Sequence, residues 1–321
     1  MGDSVFGKFS VAIVTPFVDS KHNPAQPIDS EGLENIIVHV ASGLQATRQQ
    51  RPFIGGIIVS GTTGEQHTMT LEERAQLYSQ SVAFANRFDI PVVAGIAHTT
   101  IAGVKQLTQA ALEAGCKGIM LGLPPYTRLC DEEIRAYILS VKSMVLTDFP
   151  ILLYNNSMRN GYSPSLPLLA ELCADGTLWG IKHAVLPDQF LDHAKTILEL
   201  CPSARLYTGS DKLAGSLLSP TAPAPRFYGL TSILGNLYPT EMATDIANLT
   251  SEDAVTAQEA KVGHEGLIKV IDPVLLGTSL PVGLKYALRS KGLKAGFTRE
   301  PVGFISEEKK QEIDAALQLF V

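Results

Sequence analysis

Leu178-Trp179-Gly180-Ile181-Lys182-His183-Ala184-Val185 is a short apolar run that carries a lysine, bounded by Asp175-Gly176 and Pro187-Asp188. Its length and flanks predict a buried strand. An ammonium buried without a partner is costly, and the group tends to shed its proton. The neutral amine is a nucleophile. Near the end of a strand it can condense with a ketone to a Schiff base, whose protonated nitrogen draws electrons from the adjacent carbon. The other reading of the same residue is a covered stem with its head in water. The surrounding sequence decides between them.

Outward from this stretch, apolar runs alternate with helical patterns. Upstream, Pro150–Tyr154 is a strand followed by a helix opening at Ser163-Pro164, and Lys117–Leu123 precedes a helix that Asp131 can cap. Pro91–Ile96 leads to a helix near Ala102–Ala114, and Gly55–Ser60 to one entered through the capping box Thr70-Leu71-Glu72-Glu73. Val11–Thr15 leads to a stripe of Leu33, Ile36, Ile37, Val40 and Leu44. Downstream come a helix near Gln189–Leu200, the strand Arg205–Tyr207, a helical segment near Lys212–Leu218, the strand Arg226–Leu230 and a helix near Thr240–Leu249. Eight β-α units predict a parallel sheet closed as a (β/α)8 barrel over residues 1–250. A doubly wound sheet has the same local pattern, but its Gly-x-Gly-x-x-Gly turn and the P-loop lysine motif are both absent. After about Ser251 only helical patterns remain, which predicts a C-terminal helical domain over 251–321. Gln45–Pro52 and Ser219–Pro225 read as lengthened loops.

The 321 residues, 45% hydrophobic and 18% charged, can bury a core of that size. A net charge of -6 without any lysine or arginine block argues against nucleic acid or an anionic membrane as partner. Cys116, Cys130, Cys173 and Cys201 form no CxxC pair, and Met1–Ser10 has no secretory apolar core, so reduced thiols in the cytoplasm are expected. No stretch is long and apolar enough to span a membrane.

Barrel chemistry sits just beyond the strands' C-terminal ends. There the second strand runs into Gly61-Thr62-Thr63-Gly64-Glu65, a tight turn whose N–H groups and hydroxyls can cradle a carboxylate, or simply a glycine turn. The fifth strand ends in Tyr154-Asn155, where a phenol can relay a proton or serve as a core tyrosine. Arg159, five residues on, can grip a carboxylate or a polar substrate tail, or can lie solvated in its loop.

Taken together, Ala12–Phe17, Gly61–Glu65, Tyr154-Asn155, Gly180-Ile181-Lys182, Gly209-Ser210-Asp211, Gly229–Asn236 and the Lys285 to Pro301 stretch resemble the dihydrodipicolinate synthase / N-acetylneuraminate lyase family, in matching order over nearly the whole chain. The resemblance implies a class I, Schiff-base reaction on pyruvate or a longer 2-oxo acid, with an aldehyde as the other substrate. It assigns Lys182 to the imine, Tyr154 to the proton relay, and Thr62 and Thr63, with Gly61 and Thr231 beside them, to the 2-oxo acid. Arg159 falls on the second-substrate arginine of the synthases. No cofactor or metal is implied, and a homotetramer or homodimer is.

The departures concern the aldehyde. Where the synthases have Pro-Pro-Tyr-Tyr, this chain has Pro124-Pro125-Tyr126-Thr127, so their second relay tyrosine is missing unless Tyr126 takes its place by a shift. Ser157 replaces a usual proline, and His183 replaces the acidic residue that often follows the lysine. A dihydrodipicolinate synthase using aspartate semialdehyde, an aldolase of 2-keto-3-deoxy sugar acids or of 4-hydroxy-2-oxoglutarate, and a non-catalytic 2-oxo-acid-binding barrel all remain open. A different chemistry would use His67, His98 and His183, each just past a strand, as ligands of a divalent metal; no His-x-His pair or acidic cluster accompanies them.

Overall fold

The computed structural model describes residues 5–48, 54–185, 188–220, 225–275 and 279–319. Eight strands close into a barrel in sequence order: β1 (Phe9–Ala12), β2 (Ile54–Val59), β3 (Val92–Ile96), β4 (Gly118–Gly122), β5 (Ile151–Asn155), β6 (Gly180–His183), β7 (Leu206–Thr208) and β8 (Gly229–Ser232). Every neighbouring pair is parallel, including β8 with β1, so helices between the strands carry the chain back each time. Side chains alternate along each strand. One set, including Val11, Ile57, Leu121, Leu153, Ile181 and Leu230, packs outward against the helices. The other, Ala12, Ile58, Val93, Met120, Leu152 and Tyr207, fills the lumen with Phe6. Tyr207 donates its hydroxyl to the Gly7 carbonyl at 2.8 Å and meets Phe6 edge-on, so the N-terminal mouth is plugged and the opposite mouth is left for chemistry.

Several expected boundaries move, each for a local reason. β1 lies two residues earlier than predicted, because the Val14 N–H turns to the Asn236 side chain instead of a ladder partner. β8 starts later, at Gly229, which places Thr231 inside the strand. The helix expected at Ser163-Pro164 starts at Leu166: Ser163 donates to Asn155, and Ser165 is the cap, accepting from the Leu168 N–H. Asp131 is the first residue of its helix and not its cap; the capping box is closed by Cys130 and Glu133, while the Asp131 carboxylate accepts from the Ser165 N–H. The Thr70–Glu73 capping box is present as expected. Gln45–Arg48 continues the helix Ser30–Arg48, and residues 49–52 and 221–224 of the two expected loops lie outside the described residues.

Beyond β8 the described chain is helical: Pro239–Leu249, Ala254–Leu275, Leu280–Ser290 and Glu307–Gln318. Two buried polar links tie these helices to the barrel. His264 sits with Nδ1 2.5 Å from the Asp245 carboxylate and donates through Nε2 to the Asp211 carbonyl at 2.7 Å. Lys285 donates to Glu65 at 2.5 Å and to the Phe297 carbonyl. No helix among the described residues is long and apolar enough to cross a membrane, and all four cysteines are free thiols.

Candidate active site

A cleft of about 830 Å³ opens at the C-terminal ends of the strands. Lys182 points into it from β6 beside Tyr154 of β5, its partner in register, with Nζ 4.7 Å from the centre of the Tyr154 ring. The lysine is 8% exposed, and among the described residues it makes no hydrogen bond or ion pair. Burial pulls its ammonium below the usual lysine range; Tyr154 and Asp211 oppose this, and Arg159 adds to it. A larger fraction of free amine at neutral pH follows. Gly209 is what makes room, since a β-carbon there would lie 2.6 Å from Lys182 Cε.

The Tyr154 hydroxyl accepts from Asn156 Nδ2 at 2.7 Å. Burial raises the phenol, yet Lys182, the Asn156 hydrogen bond, Arg159 and the Thr62 hydroxyl together outweigh it and hold it below the ordinary tyrosine range. Such a phenol gives up its proton more readily than a free tyrosine, which brings it closer to the neutral pH at which a relay works.

Thr62 and Thr63 line the cleft from the turn after β2. That turn is bracketed by Ser60 and Glu65, both in the left-handed region at φ 55° and 56°, and closed by Glu65 N–H to Thr62 O and Gln66 N–H to Gly61 O. Gly61 therefore shapes the turn without reaching the cleft wall. Arg74 clamps one flank through the Ser60 hydroxyl at 2.8 Å and the Ala97 and Gly95 carbonyls. The other flank is held by the Glu65 carboxylate, which accepts from Lys285 and from the Arg299 N–H.

Arg159 lines the cleft from the short helix Ser157–Asn160, whose cap Asn156 accepts from the Arg159 N–H. Its guanidinium has no ion-pair partner among the described residues. Thr231 is not brought to the cleft: it is fully buried in β8, level with Ser10 of β1, and its hydroxyl finds no partner. Tyr126 is fully exposed, at φ 78°, and Thr127 is exposed beside it; neither lines the cleft of the single chain. The three histidines stay apart. His98 pairs with Thr100, His67 lies in the 3-10 turn Gln66–Thr68, and His183 packs against Phe190 and His193; among the described residues no group of three metal-ligating side chains forms.

The sequence reading missed two residues. Asn156, which orients Tyr154, occupies a loop position that nothing but its neighbour Ser157 marked as unusual. Asp211 is buried; its carboxylate accepts from the Ser232 hydroxyl at 2.5 Å and from the Ile233 and Leu234 N–H groups, although burial still raises it above the usual carboxylate range. The signal for it was the Gly209-Ser210-Asp211 turn directly after β7.

Residues 5–319 match the Dihydrodipicolinate synthetase family. A 4-hydroxy-tetrahydrodipicolinate synthase of Methanococcoides burtonii is 29% identical over 302 residues, covering 94% of this chain and 93% of the relative. The enzyme of the same name from Bacillus subtilis is 27% identical, covering 97% and 98%. Among solved structures, the 4-hydroxy-tetrahydrodipicolinate synthase of Methylacidiphilum fumariolicum superposes with a TM-score of 0.81 at 26% identity, covering 98% of this chain and 95% of that one. A dihydrodipicolinate synthase from Bacillus anthracis gives 0.78 at 26% identity, covering 98% of each. The barrel expected from the sequence is found, and the reading as a Schiff-base lyase acting on pyruvate and an aldehyde accords with these relatives. The chain belongs to the dihydrodipicolinate synthetase family.

Proposed function

We propose that Lys182 forms an imine with pyruvate and that the protein makes or breaks a carbon–carbon bond between pyruvate and an aldehyde. The observation that carries this is a buried, unpaired amine against a phenol whose proton is loosened, in a cleft floored by a hydroxyl-rich turn. The amine adds to the ketone and water leaves. The iminium nitrogen then lets a methyl proton depart, and the resulting enamine carbon attacks the aldehyde; hydrolysis returns the amine. Thr62 and Thr63 hold the carboxylate of the 2-oxo acid, and Tyr154 carries protons between the imine and the incoming oxygen. Arg159 meets an acidic or polar group of the second substrate. The test is borohydride reduction with pyruvate, which should add one pyruvate-derived mass to the peptide containing Lys182. Modification elsewhere, or its persistence in Lys182→Ala, would sink the assignment.

Replacing Tyr154 separates relay from imine. Tyr154→Phe keeps the ring beside Lys182 and removes the hydroxyl. Turnover should fall by about 10²–10⁴-fold, the usual contribution of a positioned acid-base group, while a trapped imine still forms. Turnover within threefold of the parent would assign the relay to another group.

The relatives' shared name favours aspartate semialdehyde as the aldehyde; the absent Tyr-Tyr pair at Tyr126-Thr127 and the altered positions Ser157 and His183 favour another. Residues 1–250 carry the chemistry on this reading, and 251–321 brace it through Lys285 and His264. A homo-oligomer in the cytoplasm fits the family, and the fully exposed Tyr126 is a surface that a second copy would cover.

A further inference from the structure

The cleft is larger than its chemistry requires. Pyruvate is six non-hydrogen atoms and fits between Lys182 and the Thr62-Thr63 turn, whereas a cavity of about 830 Å³ is of the size that holds a far larger molecule. The remaining space lies on the β6 to β8 side, and the described residues that line it are mostly apolar. Phe190, Leu191, Leu213, Leu217 and Ile233 line it. Phe190 is fixed by stacking on Phe227 with ring centres 5.0 Å apart. Leu191 and Leu213 are 50% and 39% exposed, unusual for large apolar side chains lining a concave cleft.

The polar atoms on this side are largely committed. The Ser216 hydroxyl donates to the Leu213 carbonyl, and Thr208 Oγ1 accepts from the Ser210 N–H. Among the described residues the Ser210 hydroxyl and His183 are the exceptions. The His183 ring is 1% exposed, packs between Phe190 and His193, and has both nitrogens unpaired and closed off from the cleft. Burial, with His193 adding to it, lowers its pKa to about 4, so the ring is neutral at neutral pH. A polyhydroxylated chain or an ammonium group entering here would lose several hydrogen bonds to water and regain one or two.

We infer that the lobe walled by Phe190, Leu191, Leu213, Leu217 and Ile233 takes the body of the second substrate, and that this substrate is an aldehyde on an apolar, ring-bearing or branched hydrocarbon frame. This rests on the imine reading and narrows it: the ketone end is set by Lys182 and the threonine turn, and the aldehyde is chosen by the lobe. Arg159, on the β5 side, is left for one acidic substituent.

The test measures condensation with pyruvate for benzaldehyde and 4-hydroxybenzaldehyde against glyceraldehyde and aspartate semialdehyde, alongside borohydride trapping of pyruvate in the same preparation. The aromatic aldehydes should lead in kcat/KM by about 100-fold, the discrimination that an apolar pocket supplies. Leu213→Asp, at a position 39% exposed, should shrink that ratio at least tenfold. Trapping at Lys182 with glyceraldehyde or aspartate semialdehyde preferred would overturn the lobe assignment and leave the imine standing. An unmodified Lys182 would overturn both.

Discussion

Lys182→Met should abolish turnover, by at least about 10⁴-fold on the scale of a lost nucleophile, and yet leave the protein as stable as its parent or more so. The two halves have one cause. An amine 8% exposed and without a hydrogen-bond partner among the described residues is unfavourable in the folded state, which is why its pKa falls. Methionine has similar length and no charge to desolvate. Functional sites commonly hold such locally unfavourable groups at a cost in stability. The pH dependence carries a sign. The folded-state pKa is depressed below the ordinary 10.5, so between that lowered value and 10.5 the unfolded chain binds more protons than the folded one, and the stability of the parent rises with pH there. Its deficit against Lys182→Met should therefore be largest on the acid side of the window and shrink toward pH 10.5. Thermal or urea unfolding of both proteins across that range checks this. A Lys182→Met variant that melts well below its parent would show that the lysine is paired, and the free-amine argument would fail with it.

The barrel was legible because its signal is redundant. Eight apolar runs separated by helical stripes leave little choice of architecture, and an error of two or three residues in β1 or β8 does not change it. Those errors matter for the site. Thr231 read as a residue just past its strand, but the ladder runs through it and takes it into the barrel wall. Lys182 and Tyr154 were legible as a pair because each lies next to the end of its strand, and adjacent parallel strands then bring them level. Asn156 and Asp211 were not. What they do depends on how the chain turns after its strand: Asn156 caps Ser157–Asn160 and donates to Tyr154, and the Asp211 carboxylate meets Ser232 and Ile233, more than twenty residues on. Arg159 was read as a loop residue, and that helical turn is what carries it to the cleft.

Lys285→Met should destabilise the protein by about 3–5 kcal/mol, the usual consequence of removing one member of a buried ion pair. Lys285 and Glu65 are each about 1% exposed in their side chains, 2.5 Å apart, and 220 residues apart in sequence. Burial lowers Lys285 to about 8 against the attraction of Glu65, so the lysine keeps its charge at neutral pH. Without the lysine, the Glu65 side chain, about 1% exposed, keeps only the Arg299 N–H as a hydrogen-bond donor among the described residues. The damage reaches catalysis, because Glu65 is the left-handed residue that ends the Thr62-Thr63 turn. KM for pyruvate should rise with the loss of stability, since the donors proposed for its carboxylate are no longer fixed. The double replacement Lys285→Met with Glu65→Leu removes both charges and should recover most of the melting temperature, as apolar replacements of buried pairs commonly do, without recovering KM. Recovery of both would mean that the pair serves stability alone. A loss below about 1 kcal/mol for Lys285→Met, the range of an exposed pair, would place this lysine in water. If KM rises as expected, the helix Leu280–Ser290 is part of the active-site architecture, and the C-terminal helices are the brace that keeps the carboxylate-binding turn in place.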